Sequence, residues 1–335
     1  MINIKHKYPN NIKVNEVITN FVLLFLLIIV SPNTTKQMIT IFLLGASFSA
    51  LLGIIQFLLQ DTFVSSLFGL SYHDVLVSGT AIVGSSARWL RAYGSFSHPN
   101  IFGGYMLVAS VYGVYMIHRG EKKYRAWYYL LSTICIVALF LSFSRSALLA
   151  GAVVLLIILS FFRTILHKTF ILYLSALVVI LIVLLYPLYI SRVSIDSSHE
   201  IRSIGERVSS MHVAHDMIRS HFFFGIGMGN YSSALMSIVP DKPGWYYQPV
   251  HMVYALMQTE IGFVGCLLFF VSFLLFLYWI FEYNKNILQT LVIVCCFIFA
   301  VIAVFDHYLF SMYSGVILCA VTMAFATRNS VLPTD

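Results

Sequence analysis

The chain is a succession of long apolar runs, and no other feature limits its fold as tightly. Apolar stretches of about 18 residues cross a bilayer as helices, because a helix satisfies its backbone polar groups internally. Such runs fall at about 17–31, 37–59, 99–118, 127–143, 146–162, 169–190, 251–281, 287–305 and 309–326, nine spans in all. Composition agrees. The chain is 60% hydrophobic and 10% charged, whereas a soluble domain carries about a quarter charged residues. The expected fold is all-α, a polytopic transmembrane helix bundle forming a single integral membrane domain over 1–335. Two polar segments interrupt it, 60–98 and 191–250.

Net charge is +7, with 20 Lys and Arg against 13 Asp and Glu. In a soluble protein that balance raises nucleic acid as a partner. Here cytoplasmic loops collect basic residues, so the expected surroundings are membrane lipids and no nucleic acid. All five cysteines lie in apolar runs, with no CxxC or Cys/His spacing, which excludes a disulfide or zinc framework. The opening MINIKHKYPNNIKVNE is polar and basic. The apolar run after it has no small-residue cleavage site, so it reads as a retained helix.

Basic loops set the orientation. HRGEKKYR (118–125), FFRTILHK (161–168) and the tail bearing Arg328 belong on the cytoplasmic side. SFSRS (142–146), the 191–250 segment, DHY (306–308) and the end of RAYGSFSHPN (91–100) then share the outer side. Lys5, Lys7 and Lys13 argue instead for an inside start. Three explanations stand: an outer N-terminus despite its charge, re-entry of part of 60–98, or further helices upstream.

Within 191–250, Ile201, Ile204, Val208, Met211, Ala214 and Ile218 recur at helical spacing, with Arg207, His215 and Arg219 opposite. This predicts an amphipathic helix in a large extracytoplasmic loop. Glycines in GIGMGN (225–230) then permit a tight turn.

Four outer places carry polar chemistry. RAYGSFSHPN offers Arg88 and Arg91 before a helix that Pro99 can open. In SFSRS, Arg145 sits mid-way in an apolar block; a charge there faces protein, water or an anion, or snorkels from a turn. The loop helix carries Arg207 and Arg219. His212 and His215 precede Asp216, but HxxHD is not the HExxH pattern and solvated faces often show such pairs, so no metal is expected. In PVHMVYALMQTEIGFVG (249–265), His251 opens a long helix, either as a proton acceptor near neutral pH or as an interfacial cap. Glu260 lies nine residues on, about 13 Å along the helix, within the membrane and too far to partner His251. Guanidinium groups fork onto phosphate oxygens and stay charged in low dielectric. Arginines with one histidine at one membrane face therefore suit a lipid-linked pyrophosphate, which leaves readily once its charge is bound.

RAYGSFSHPN, LSFSRSALLA, ERVSSMHVAHDMIRSHFFFGIGMGNY and HMVYALMQTEIGFVG, in that order over about 88–265, resemble the O-antigen ligase and polymerase superfamily of bacterial envelope glycosyltransferases. The resemblance implies an inverting, metal-independent transfer from an undecaprenyl-pyrophosphate-linked glycan to a glycolipid, glycan or protein acceptor, without cofactor, at the outer face of the bacterial cytoplasmic (inner) membrane. Surface polysaccharide and lipopolysaccharide biosynthesis is the implied process. By motif position His251 is the base and Arg91, Arg145 and Arg207 hold the diphosphate, with Arg219 and Glu260 in support. The chain departs from the family in two ways: members often have about twelve spans, and Met252 stands where the family commonly has Asn. Ligase, repeat-unit polymerase and protein O-oligosaccharyltransferase share these motifs. An envelope transporter or export channel is the alternative from another class, motivated by Glu260, Asp306 and His307, since intramembrane ionisable groups often mark ion pathways.

Overall fold

A computed structural model describes residues 11–66, 70–77, 79–84, 88–161, 168–193, 198–283 and 287–331. The helices are α1 (Asn11–Val30), α2 (Thr35–Leu59), α3 (Pro99–Arg119), α4 (Arg125–Leu141), α5 (Arg145–Phe161), α6 (Lys168–Val193), α7 (Ser198–Ser220), α8 (Tyr231–Ile238), α9 (Val253–Tyr283), α10 (Ile287–Phe305), α11 (Tyr308–Ser311) and α12 (Tyr313–Val331). Every apolar run of the sequence lies on a helix. Among the described residues five helices are long and apolar enough to cross a membrane, Thr35–Leu59, Pro99–Arg119, Lys122–Leu141, Phe170–Ser191 and Val253–Glu282. Four shorter apolar helices accompany them, Glu16–Val30, Arg145–Ile157, Thr290–Phe305 and Tyr313–Arg328. The run expected as one span from 309 breaks at Met312, whose φ of −124° and ψ of 140° are extended. Lys5, Lys7 and most of the basic loop at 161–168 lie outside the described residues.

The chain divides into two compact units. One comprises Met1–Pro32, Arg202–Val292 and Ala303–Thr334; the other comprises Asn33–Ile201 and Ile293–Ile302, with Asp335.

In the second unit α3 is the centre. Its small residues let neighbours approach closely, the usual device where lipid offers no hydrophobic drive for helix association. His98 caps α3 by accepting the Asn100 N–H, and Pro99 takes the first turn, where its missing N–H costs nothing. A Cβ at Gly103 would lie 2.6 Å from the Ser142 hydroxyl and 2.8 Å from the Ser144 Cβ. Glycine at this position therefore seats the α4–α5 turn directly on α3. The 60–98 segment departs from an all-helical expectation. Its described residues form two antiparallel ladders, β1 (Asp61–Thr62) with β2 (His73–Asp74) and β3 (Ile82–Val83) with β4 (Trp89–Leu90).

In the first unit α1 and α12 run parallel, with their C-terminal ends together. Arg328, near the end of α12, donates to the carbonyls of Ile28 (3.1 Å) and Ile29 (2.7 Å) near the end of α1. These carbonyls lack helical partners, so a guanidinium answers both need and dipole. The expected amphipathic helix is present as α7, and its inward face takes up only part of the expected stripe. Ile204 and Val208 are exposed, while Ala214 and Met217 are buried. Ala214 and Met217 pack in one core with Tyr231, Leu235, Val250 and Leu256, and Met211 borders it. The stripe that matters is set by contact with α8 and the head of α9, which an isolated helical wheel does not contain.

Candidate functional site

α9 is one helix in sequence and two in geometry. At Gly262 φ is 67° and ψ is −175°, a conformation only glycine adopts without strain. Such a break frees backbone groups that lipid cannot satisfy, and the chain after α7 supplies their partners. Phe222 O accepts the Phe263 N–H (2.8 Å) and Phe223 O accepts the Val264 N–H (3.1 Å). In return Ile226 and Gly227 donate to the Thr259 and Glu260 carbonyls, both at 2.9 Å. A Cβ at Gly225 would sit 2.4 Å from the Glu260 carbonyl oxygen, so the approach requires glycine on both chains.

Glu260 completes this clasp. Its carboxylate accepts the Gly229 N–H (2.8 Å) and the Tyr231 N–H (3.1 Å). It thereby caps the N-terminus of α8, where orphan N–H groups and the helix dipole both favour an anion. Its role is structural: it fixes GIGMGN, and with it the end of α7, against the helix that carries His251.

His251 stands just before α9. Its side chain is 32% exposed, and its Nδ1 lies 4.0 Å from Asp306 Oδ1, whose side chain is 8% exposed. That Nδ1 is buried and has no hydrogen-bond partner. In substrate-free enzymes such contacts are often long and tighten on substrate binding. Asp306 is itself held, since its Oδ1 accepts the His307 N–H at 2.8 Å. The His307 ring lies 5.2 Å from the His251 ring, centroid to centroid, and its Nδ1 pairs with the Ser311 hydroxyl at 2.6 Å. Burial pushes the His307 pKa down to about 4; Asp306 opposes that shift and His251 adds to it. His307 is thus neutral at physiological pH. Asp306 and His307 take a place in the site that the sequence reading did not give them. The signal was available, because both lie in the turn between two apolar runs, yet only folding brings α10–α11 to the head of α9. With Glu260 engaged as a cap and Asp306 and His307 gathered at His251, the residues that suggested an ion pathway have other partners.

Among the described residues, His251, Asp306 and His307 are the His/Asp group whose ligating atoms converge, all within 4.8 Å of one another. His212, His215 and Asp216 are exposed on α7 and do not form such a group. Arg207 and Arg219 separate clearly. Arg207 is half-buried and seven residues before Ala214, on the packed face of α7, whereas Arg219 is exposed.

In the other unit the SFSRS turn has a definite construction. Phe143 takes a left-handed φ of 47°, costly for a bulky residue and held by burial against Tyr189 and Phe57. The Ser142 hydroxyl accepts the Ser144 N–H, and the Ser144 hydroxyl faces the Ala147 N–H as a cap for α5. Arg145 is the first residue of α5 and exposed. Arg91 is only 4% exposed. Its Nε donates to Ser142 O (2.7 Å) and its Nη2 to Asn100 Oδ1 (2.8 Å). Ala92 N–H adds a bond to Leu141 O at 3.0 Å. Arg91 therefore ties three pieces together: RAYG, the start of α3 and the turn that presents Arg145. Arg88 is exposed at the foot of β4.

No curated protein matches the chain. Residues 130–270, from within α4 through the Gly262 kink, match the family model described as O-Antigen ligase. That match makes this stretch similar to the O-antigen ligase and polymerase superfamily.

Proposed function

We propose that the protein transfers a glycan from an undecaprenyl-pyrophosphate-linked donor to an acceptor hydroxyl at the outer face of the cytoplasmic membrane. The observation that carries this reading is His251 at the head of α9 with the Asp306 carboxylate behind its Nδ1. With the Nδ1 proton facing Asp306, Nε2 keeps its lone pair for an acceptor O–H. The acceptor oxygen attacks the anomeric carbon as its proton passes to Nε2. The bond from that carbon to the pyrophosphate oxygen breaks, its electron pair leaves with the lipid pyrophosphate, and the configuration inverts. Asp306 stabilises the imidazolium that forms, much as a carboxylate does in a hydrolase triad.

The developing charge on the leaving group needs fixed cations. Arg145, exposed at the start of α5, and Arg207, half-buried on α7, are assigned this task by their motif positions. Arg91 belongs to the same function mainly through the turn it holds. Arg219 and Glu260 have no direct role in the transfer.

The test is incubation of purified protein, in liposomes without any ion gradient, with an undecaprenyl-pyrophosphate oligosaccharide and separate acceptors: a lipid-core glycan, a second lipid-linked repeat unit and a hydroxyl-bearing peptide. Transfer to the lipid core is the expected product. Transfer to a repeat unit or a peptide would make the protein a polymerase or a protein transferase. Gradient-dependent solute uptake with no transfer would overturn the enzyme.

A further inference from the structure

We infer that His251, Asp306 and His307 form a binding site for a divalent transition-metal ion of the zinc class, and that its occupancy switches off the base. The second half rests on the proposed role of His251; the first half does not.

The ligating atoms of the three side chains lie within 4.8 Å of one another. Two imidazoles and one carboxylate are a donor set suited to zinc, with a fourth position left for water. A single carboxylate supplies too few oxygens for calcium or magnesium. Zinc bonds of about 2.0–2.2 Å put tetrahedral donors roughly 3.4 Å apart. The present separations must therefore close by about 1 Å, and the ring of His251, a third exposed, is the one with room to turn.

Supporting contacts are in place. His307 Nδ1 is engaged by the Ser311 hydroxyl at 2.6 Å, which leaves Nε2 as its ligand nitrogen and fixes the ring, as outer partners of metal-bound histidines do. Asp306 is aimed by the His307 N–H. The buried His251 Nδ1 lacks any hydrogen-bond partner, and a metal ion would take up its lone pair.

The chemical consequence is a change of tautomer. A neutral imidazole has one lone pair. In the metal-free protein the Nδ1 proton faces Asp306 and Nε2 can accept. When Nδ1 gives its lone pair to the ion, the proton moves to Nε2 and Asp306 is occupied as a ligand. The imidazole can then no longer take a proton from an acceptor hydroxyl. Transfer itself needs no metal, and the ion acts as an inhibitor.

The experiment uses full-length protein in detergent with Co²⁺ as the probe, read by its visible ligand-field absorption and by displacement with Zn²⁺. Transfer is assayed alongside, with chelator and with graded Zn²⁺. Wild type should bind Co²⁺ and lose transfer as Zn²⁺ saturates the site. Ser311→Ala should weaken binding by about 10- to 100-fold and shift the inhibition curve equally. His307→Asn should lose the Co²⁺ spectrum, and whatever transfer it retains relative to its own metal-free rate should resist Zn²⁺. If His307→Asn does not insert, Ser311→Ala alone carries the test. Absence of Co²⁺ binding, or binding unchanged in both variants, overturns the site. Binding at these residues with undiminished transfer overturns the switch and the base assignment together. Binding in a protein that shows no transfer at all leaves the site standing and removes the proposed function.

Discussion

Arg91 and Glu260 are both buried ionisable residues engaged in hydrogen bonds. Burying a charge costs several kcal/mol unless hydrogen bonds replace its water, so each position demands its own geometry. Arg91 spans from Ser142 O to Asn100 Oδ1 with two N–H groups of one planar fork. A lysine ammonium cannot reach both in that arrangement. Arg91→Lys should therefore lower the melting temperature in detergent, by about 1.5–3 kcal/mol of stability, and reduce transfer with it. Arg145→Lys should reduce transfer at unchanged melting temperature. Equal melting temperatures for the two variants would show that Arg91 is not a structural tie. Glu260 offers one carboxylate oxygen to each of two N–H groups. Glu260→Gln keeps one acceptor and points an NH₂ at the other donor, which should cost about 2 kcal/mol, read as a lower melting temperature.

At the scale of elements, the break in α9 and the loop that fills it form one unit. The Phe222–Gly227 strand of chain and the Thr259–Val264 stretch exchange four backbone hydrogen bonds across the kink. A Cβ at Gly262 would meet Gly225 N at 2.4 Å and Phe223 O at 2.5 Å. Gly262→Ala should therefore open the clasp, at a cost of about 1–3 kcal/mol for the backbone conformation alone and more for the overlap. Faster amide exchange at Ile226 and Gly227 than in wild type checks this; unchanged exchange would contradict it. The long helices were legible because their apolar period is a local property. The SFSRS turn was legible as a turn, since an unbroken apolar block must reverse, but its anchoring by Arg91 was not. The inward face of α7 was legible in part: Met211 and Ala214 pack as expected, but Ile204 and Val208 look like core residues and are exposed, while α8 and α9 claim Met217. The His251–Asp306 pairing joins residues 55 apart, held together only by packing, so neither motif named the other.

For the whole molecule, the parallel pairing of α1 with α12 bears on the membrane topology. Arg119, Lys122, Lys123 and Arg125 mark the α3–α4 connection as cytoplasmic by their charge. On the nine spans expected from the sequence, α1 and α12 would both run from the outer to the inner side. The Arg328 bonds to Ile28 and Ile29 require that agreement. An outer position for the start of α1, reached despite its charge or through further helices upstream, accords with this pairing. A cysteine placed at Asn11 should be labelled from outside intact cells by a membrane-impermeant reagent, and one at Glu121 should not. The reverse pattern would contradict the topology.

All the chemical assignments meet at one imidazole. The decisive measurement is the rate of glycan transfer from the undecaprenyl-pyrophosphate donor by wild type, His251→Ala and Asp306→Asn, each confirmed to insert at the wild-type level. Loss of a general base should lower the rate by about 10²–10⁴-fold. Asp306→Asn should fall in the same direction with KM little changed, because it disturbs the tautomer and not the binding. Transfer by His251→Ala at the wild-type rate would contradict the mechanism outright.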